Sequence, residues 1–156
     1  MMTNLCSDVL KVLQGKTLVT AESCTGGGIG AALTAVSGSS IVYKGGIISY
    51  CNESKEALLG VPHDLLQEHG AVSAPVAEAM ASGARSRMNA DIAVSVTGLA
   101  GPGGDEYGHL VGTVFIGYCD NDKCMSKEFR FLGDREAVRL EAVFAALHFI
   151  LEQNAL

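Results

Sequence analysis

The sequence predicts an α/β protein, a three-layer α/β/α sandwich whose mixed, mostly parallel sheet has about five strands. Segments of helical and strand-like character alternate through the first two thirds of the chain, which is typical of parallel strands joined by helices. Two β-prone runs near residues 111–131 are joined by a short polar turn, which indicates a hairpin and an antiparallel neighbour. The 156 residues are 48% hydrophobic and only 18% charged, against roughly 25% charge in an ordinary domain. We therefore expect a single domain, 1–156, with a substantial core.

The elements of the first third follow from hydrophobic periodicity and from the glycines that interrupt it. A helix ends before Gly15, and residues 17–21 have the length and composition of a short buried strand. Residues 26–36 form a glycine-rich loop that enters a helix of small residues. A second strand covers residues 41–50, where two adjacent glycines indicate a bulge. The apolar residues at helical spacing in the first helix are Leu5, Val9, Val12 and Leu13.

Three helices and a strand are predicted next. Short helices cover residues 54–59 and 62–68, and each begins with a capping residue or a proline. A longer alanine-rich helix covers residues 75–88, and residues 92–96 form a third strand that ends in a second glycine cluster.

A hairpin and a long helix complete the predicted fold. Its strands are residues 111–119 and 125–131, and Asp134 caps the last helix. The predicted buried stripe of that helix steps by three and four residues, through Ala137, Leu140, Phe144, Leu147 and Leu151.

Charge and cysteine content exclude several classes of function. The net charge of −6 makes nucleic acid an improbable main partner, and no apolar run is long enough to span a membrane. The N-terminal segment lacks the pattern of a signal peptide, and the five cysteines form no C-x-x-C motif. We therefore expect a cytoplasmic protein without a disulfide framework. The four histidines show no metal-ligand spacing, so no metal is expected.

The first glycine cluster follows the first strand and contains Ser23, Cys24, Thr25, Gly26 and Gly27. Open α/β sheets bind ligands at this kind of strand end, and free N–H groups at a helix start suit a phosphate or an oxyanion. A tight turn in which Ser23 or Thr25 caps the helix is the alternative. The glycine spacing also resembles a dinucleotide-binding fingerprint, but the acidic residue expected about 20 positions later is missing.

The residues that follow the first two strands include a candidate nucleophile and a candidate base. Ser23 and Lys55 could converge at one sheet edge, where burial among uncharged groups would let the lysine act as a base. Cys24 is an alternative nucleophile, because a helix N-terminus lowers the pKa of a thiol. An exposed lysine in the first turn of a short helix is the competing interpretation of Lys55.

Two further groups could contact a ligand. The loop that contains Thr97, Gly98 and Gly101 directly follows the third strand and could wrap a ligand, or could be a plain connection. Arg135 and Arg139 lie one helical turn apart and could grip a phosphate as a fork, or could pair with nearby acids.

Taken together, five motifs in register resemble one family, the C-terminal domain of the CinA (competence/damage-inducible) proteins, over about residues 5–152. The stand-alone members of this family are PncC-type nicotinamide-nucleotide amidases. The motifs are Ala21-Glu22-Ser23-Cys24-Thr25-Gly26-Gly27, Tyr50-x-Asn52-Glu53-x-Lys55, Gly70-Ala71-Val72-Ser73, Thr97-Gly98-Leu99-Ala100-Gly101-Pro102 and Gly133-Asp134-Arg135.

The resemblance implies hydrolysis of nicotinamide mononucleotide to nicotinate mononucleotide and ammonia, with no cofactor, in a homo-oligomer. Ser23 would be the nucleophile, Lys55 its base and Tyr50 an assisting or orienting residue, and the first glycine loop would supply oxyanion N–H groups. The substrate-binding residues implied are Cys24, Thr25, Gly26, Gly27, Asn52, Thr97, Gly98, Gly101, Arg135 and Arg139.

The chain departs from the family pattern at residues 103–110. Relatives often have a longer loop here, with Lys-Pro just before the strand, whereas this chain has a shorter loop that contains His109. Ribose or phosphate contacts from that lysine are therefore not expected. A non-catalytic, competence-associated module that binds a nucleotide in the same cleft is the alternative function.

Overall fold

The computed structural model describes residues 1–155, and its helices and strands follow the predicted order. A 3₁₀ turn, Ser39–Ile41, is added before the second strand. The helices are α1 (Met2–Val12), α2 (Gly28–Thr34), α3 (Asn52–Leu59), α4 (His63–His69), α5 (Ala74–Arg87) and α6 (Arg135–Asn154). The strands are β1 (Leu18–Glu22), β2 (Tyr43–Ile48), β3 (Ile92–Gly98), β4 (Thr113–Cys119) and β5 (Cys124–Arg130).

The five strands form one mixed sheet in the order β2-β1-β3-β4-β5. Strand β1 pairs in parallel with both β2 and β3, whereas β4 is antiparallel to β3 and to β5. Four of the five strands therefore point in the same direction, and the hairpin supplies the one reversed strand. This arrangement confirms the predicted fold class.

Helices cover both faces of the sheet because the side chains of each strand alternate between two cores. Leu18 of β1 and Ile116 of β4 pack on the face that α1, α2 and α6 cover. Val19 of β1 and Ala93 of β3 pack on the opposite face, against α5 and the end of α3. The alternation continues past β1, so that Glu22 and Ser23 project to opposite faces of the sheet.

Strand β2 is shorter than the predicted run of residues 41–50. Ile41 belongs to the 3₁₀ turn, and the chain leaves the sheet after Ile48, so that the next residues reach the end of the sheet. The predicted bulge is confirmed, because the register with β1 shifts by one residue around Lys44. Gly45 follows with φ +147°, a value that suits glycine.

The buried face of α6 is not the predicted one. Leu140 is exposed and Phe144 is only half-buried, and Leu147 is the one fully buried member of the predicted stripe. Apolar residues surround much of this helix, so periodicity alone could not select the face that meets the sheet. The residues that are buried are Val138, Ala142, Val143, Ala146, Leu147, Phe149 and Ile150.

The cysteines differ from the expected pattern. Cys119 and Cys124 are the paired ends of β4 and β5, and they form a disulfide across the hairpin. Cys51 is exposed, whereas Cys6 lies in the core. Sequence spacing did not indicate this pair, because it depends on the cross-strand pairing that brings two cysteines together.

No helix within residues 1–155 combines the length and the apolar character that a membrane span requires.

Candidate active site

The carboxyl ends of β1, β2 and β3 meet at one edge of the sheet, and a cavity of about 630 Å³ opens there. The loops that follow these strands form most of its wall, as expected for an open α/β sheet. The cavity brings together nine of the residues that sequence analysis selected. They are Ser23, Cys24, Tyr50, Asn52, Lys55, Thr97, Gly98, Gly101 and Arg135.

Ser23 and Lys55 are in direct contact at the bottom of this cavity. Lys55 Nζ lies 2.9 Å from Ser23 Oγ and donates a second hydrogen bond of 2.8 Å to the carbonyl oxygen of Ser49. Ser23 is held at the end of β1, where its amide donates to the carbonyl oxygen of Val96. Lys55 comes from the first turn of α3, so two neighbouring strand ends bring together residues that are 32 positions apart.

Lys55 is only 1% exposed, although lysine is almost never fully buried without a charged partner. Burial lowers the pKa of Lys55 to about 8, and the nearby thiols of Cys51 and Cys24 only partly oppose this shift. The desolvated ammonium has polar contacts with a hydroxyl and a carbonyl oxygen but no carboxylate partner. A substantial fraction of Lys55 is therefore neutral near pH 8 and can accept a proton from Ser23.

Cys24 does not have the environment of a nucleophile. Its side chain belongs to the hydrophobic cluster that α2 and α6 cover, on the face opposite Lys55. Burial raises the pKa of the Cys24 thiol to about 11. The expected lowering by a helix N-terminus is therefore wrong, because desolvation is the larger effect. Of the two alternatives, the geometry favours Ser23.

The start of α2 is already occupied, so its N–H groups are not free for a ligand. The carboxylate of Glu22 accepts hydrogen bonds from the amides of Ile29 at 2.8 Å and Gly30 at 3.0 Å. The amides of Cys24 and Thr25, in contrast, have no hydrogen-bond partner within residues 1–155. Of the two residues only Cys24 lines the cavity, so its amide, rather than the first turn of α2, is the donor available to an oxyanion.

Tyr50 lies on the rim of the cavity, 62% exposed, and contacts an arginine rather than the serine–lysine pair. Arg135 Nη2 donates to Tyr50 Oη at 2.6 Å, and Arg135 Nη1 donates to the carbonyl oxygen of Gly101 at 2.8 Å. The three residues join the β2–α3 turn, the second glycine loop and the start of α6. A cationic side chain is thereby held at the mouth of the cavity.

Arg139 is not part of a phosphate fork with Arg135. Its guanidinium faces the back of the first glycine loop and donates to the carbonyl oxygens of Cys24 at 3.0 Å and Thr25 at 3.4 Å. It does not line the cavity. The two arginines lie on neighbouring turns of the helix, but each donates hydrogen bonds to a different loop.

Three other selected residues also lie behind the cavity rather than in its wall. Thr25 Oγ1 donates to Glu22, and Gly26 lies under the Arg139 guanidinium. Gly27, with φ +99°, directly precedes α2 as its N-cap and packs against Ile48. These residues shape the loop that carries Ser23.

Thr97 and Gly98 sit where β3 leaves the sheet, and both line the cavity. Thr97 Oγ1 donates to the carbonyl oxygen of Ala71 at 2.8 Å. A side chain on Gly98 would meet Val114 at 2.6 Å, so glycine is required for the close approach of β4.

Part of the wall comes from residues that no sequence motif indicated as ligand contacts. Tyr107 anchors the second loop by donating to the carbonyl oxygen of Gln67 at 2.9 Å, and its ring packs on Gly70. Asp105, a lining residue, contacts His109 Nδ1 at 2.7 Å, which closes this loop on itself. The four-residue motif that begins at Gly70 was a usable signal, because its next two residues also line the cavity.

Within the described chain, no group of three or more His, Cys, Asp or Glu side chains is placed to hold a metal ion. The polar groups that face the cavity are hydroxyls, amides, one lysine, one arginine and two carboxylates. This set suits proton transfer and the binding of a small polar ligand.

The fold and the site thus define an α/β/α domain with a buried serine–lysine pair at the carboxyl ends of its parallel strands. The model of the CinA C-terminal domain matches residues 2–154, and the chain belongs to this family.

Relatives and solved structures agree with this assignment. The chain is 50% identical to a CinA-like protein of Geobacter sp. (strain M21) over 87% of its length and 33% of that protein's. It is 52% identical to a CinA-like protein of Parasynechococcus marenigrum (strain WH8102), over 92% of its length and 35% of the relative's. The chain therefore spans about a third of the length of these relatives.

Crystal structures of two family members superpose on nearly the whole chain. A competence-damaged protein (CinA) superfamily protein of Klebsiella pneumoniae 700603 has a TM-score of 0.96 and 36% identity, covering 99% of this chain and 98% of that one. The competence/damage-inducible protein CihA of Agrobacterium tumefaciens has a TM-score of 0.94 and 38% identity, covering 98% and 95%.

Proposed function

We propose that the chain is an amidohydrolase that uses Ser23 as nucleophile and Lys55 as general base. The observation that carries this proposal is the 2.9 Å contact between Ser23 Oγ and a buried Lys55 Nζ whose pKa is lowered to about 8. The substrate we propose is nicotinamide mononucleotide, from the resemblance to PncC-type amidases. The products are nicotinate mononucleotide and ammonia, in a cytoplasmic pathway of pyridine-nucleotide recycling.

The first half of the reaction forms an acyl-enzyme. Neutral Lys55 takes the proton of Ser23 as Oγ attacks the carboxamide carbon, and the carbonyl oxygen becomes an oxyanion. The free amide of Cys24 is the donor that would stabilise this charge. When the C–N bond breaks, the Lys55 ammonium returns the proton to the leaving nitrogen, which departs as ammonia.

The second half releases the acid. A water molecule gives a proton to Lys55 and attacks the ester carbon, and the proton then returns to Ser23 Oγ as the C–O bond to the enzyme breaks. One water is consumed, and the products are the carboxylic acid and ammonia; the proton that the acid loses at neutral pH converts the ammonia to ammonium. The carbonyl oxygen of Ser49 supports both halves, since its hydrogen bond with Lys55 holds the amine in line with Ser23.

The cavity also has the charge needed for a mononucleotide. Arg135 is the arginine in its wall, and it already spans Tyr50 and Gly101 at the mouth. A phosphate at this position would receive guanidinium donors in the geometry that arginine provides for such groups. Asn52, exposed beside Tyr50, adds an amide that can bind ribose or carboxamide oxygens.

The direct test is the release of ammonia from nicotinamide mononucleotide. We expect the wild-type protein to release it and Ser23→Ala to lose at least about 10³-fold in kcat, as for other nucleophile replacements. Cys24→Ala is the matched control, since its thiol lies in the core, and it should retain turnover. Calorimetric binding without ammonia release would contradict the amidase and support the alternative of a nucleotide-binding module.

Arg135 and Arg139 offer a test of the substrate class. Arg135→Ala should raise KM for nicotinamide mononucleotide on the order of tenfold or more and change KM for nicotinamide riboside, which has no phosphate, much less. Arg139→Ala should instead lower kcat for both substrates, because Arg139 contacts only the back of the Ser23 loop. Equal effects of Arg135→Ala on the two substrates would exclude a phosphate at this arginine.

A further inference from the structure

Glu22 is a buried carboxylate, 2% exposed, directly before the nucleophile in sequence. Its two oxygens accept four hydrogen bonds. Oε1 accepts from Thr25 Oγ1 at 2.7 Å and from the Ile29 amide at 2.8 Å. Oε2 accepts from the Gly30 amide at 3.0 Å and from Thr20 Oγ1 at 3.2 Å.

These contacts close the turn that carries Ser23. The hydrogen bond between Glu22 and Thr25 spans the two residues whose geometry matters for attack, Ser23 and Cys24. The amide of Gly26 donates to the carbonyl oxygen of Ser23 at 3.1 Å and tightens the same turn. Since Glu22 and Ser23 project to opposite faces of the sheet, the carboxylate can hold the backbone of the turn without entering the cavity.

The charge of Glu22 also explains where an anion can and cannot bind. The first turn of a helix favours negative charge, and here a side chain of the protein supplies it. A substrate phosphate at the start of α2 would have to displace this carboxylate and would be repelled by it. Arg135, which lines the cavity, has no such competitor among its contacts.

We propose that Glu22 is a positioning residue for the reaction, which fixes the Ser23–Thr25 turn so that Ser23 Oγ and the free amide of Cys24 keep their relative geometry. The proposal rests on the proposed function, because it assigns those groups to attack and to oxyanion binding. As a consequence, the anionic part of the substrate binds at Arg135 and not at the start of α2.

Glu22→Gln is the first test, since it keeps the shape but turns an –NH₂ group towards two of the four donors. We expect kcat to fall about tenfold to a hundredfold with KM little changed, because attack and oxyanion binding are weakened while the Arg135 side is untouched. A fluorophosphonate probe, which reacts with Ser23 Oγ with loss of fluoride, should label this variant more slowly by a similar factor.

Thr25 and Thr20 supply a matched pair of milder variants in case Glu22→Gln does not fold. Both hydroxyls donate to Glu22 and both side chains are buried, but only Thr25 belongs to the turn. We expect Thr25→Val to slow labelling and turnover at least about tenfold, Thr25→Ser to restore both, and Thr20→Val to stay within about threefold of wild type. Loss of stability alone would not separate the two valine variants in this way.

Hydrogen exchange supplies a measurement that does not depend on catalysis. Amides of residues 23–28 should exchange faster in Thr25→Val than in Thr20→Val if Glu22 fixes the turn. Wild-type labelling rates in both Glu22→Gln and Thr25→Val, or equal effects of Thr25→Val and Thr20→Val, would overturn the proposal. A wild-type protein that is not labelled at Ser23 would contradict the proposed function instead, and the exchange comparison would still decide the role of Glu22.

Discussion

At the scale of single residues, the protein buries a lysine, whose ammonium is costly to desolvate, at the position where the reaction needs a base. Lys55 is fully buried, whereas the other lysines of the chain are exposed. The cost of desolvating its ammonium lowers the pKa and makes a usable base from a side chain that is normally protonated. Lys55 Nζ donates hydrogen bonds to Ser23 Oγ and to the carbonyl oxygen of Ser49, and these two groups can bind both the neutral and the charged amine.

The pH dependence of turnover follows from this pKa. Because neutral Lys55 is the base, kcat/KM should rise with pH and level off above about 8, falling about tenfold per pH unit below that value. Nicotinamide riboside is the better substrate for this measurement, because the phosphate of the mononucleotide has its own titration near pH 6. A flat profile between pH 6.5 and about 9 would exclude a lysine base of this pKa.

The same pKa makes folding stability depend on pH. The pKa of Lys55 is about 8 in the folded protein and 10.5 for an exposed lysine, so between these values the unfolded chain binds a proton that the folded chain lacks. Stability therefore rises with pH across this window, and the penalty of the buried charge is fully present below it. Lys55→Met removes the titration and should abolish this rise.

The measurement compares wild type and Lys55→Met by urea unfolding at pH 7 and at pH 10. The difference in unfolding free energy between the two proteins should shift by about 2–3 kcal/mol in favour of wild type at the higher pH. Hydrogen bonds lost in the variant do not depend on pH and cancel in this comparison. A difference that is constant with pH would contradict the lowered pKa.

At the scale of elements, close packing between α5 and the sheet holds the wall of the cavity in place. A side chain on Gly117 of β4 would overlap the carbonyl oxygen of Ala77 in α5 and crowd Ser95 Oγ of β3. Ser95 Oγ donates to the same carbonyl oxygen at 2.5 Å. The segment that leads into α5 contains Ala71 and Val72 of the cavity wall, so this contact also positions the site.

Gly117→Ala should therefore push α5 away from β4. We expect the free energy of unfolding to fall by about 1–3 kcal/mol, as in other overpacked cores. Gly104→Ala is the control, because its added methyl group would meet only the His109 carbonyl oxygen at 3.6 Å and should change stability little. Equal stability of the two variants in urea unfolding would show that the α5–sheet contact is not tight.

At the scale of the whole molecule, strand β2 is an edge of the sheet, and exposed apolar side chains lie at its two ends. Ile41 is 70% exposed just before it and Ile48 is 53% exposed at its end, close to Tyr50 on the cavity rim. Unpaired edges and exposed apolar groups are features of association surfaces. We expect the chain to form a homo-oligomer through this edge.

Light scattering across a range of protein concentrations tests this expectation. The particle mass should be a multiple of the chain mass, and Ile48→Lys should shift it towards the monomer. Leu110→Lys, which changes an equally exposed leucine in the second glycine loop, should leave the mass unchanged. A monomer at every concentration would contradict the proposed association.

Much of the fold could be predicted because its signals are local. The order of helices and strands, the bulge in β2 and the hairpin all depend on periodicity and on glycine or turn residues within a short window. The face of α6 could not be predicted in the same way, because several of its faces are apolar and only packing on the sheet selects one. The cross-strand pairing of Cys119 and Cys124 likewise depends on register.

The sequence by itself determined the element order and which strand ends carry Ser23, Lys55 and the glycine loops, because parallel strands deliver their carboxyl ends to one edge. Only the tertiary structure decided which donors and acceptors meet there. Glu22 accepts hydrogen bonds from amides at the start of α2, and Arg135 and Arg139 donate to two different loops. The side chain of Cys24 packs in the core. Groups from distant segments compete for the same hydrogen-bond partners, and burial by those segments sets the pKa values of the site residues. A local sequence pattern therefore predicts neither the partners nor the pKa values.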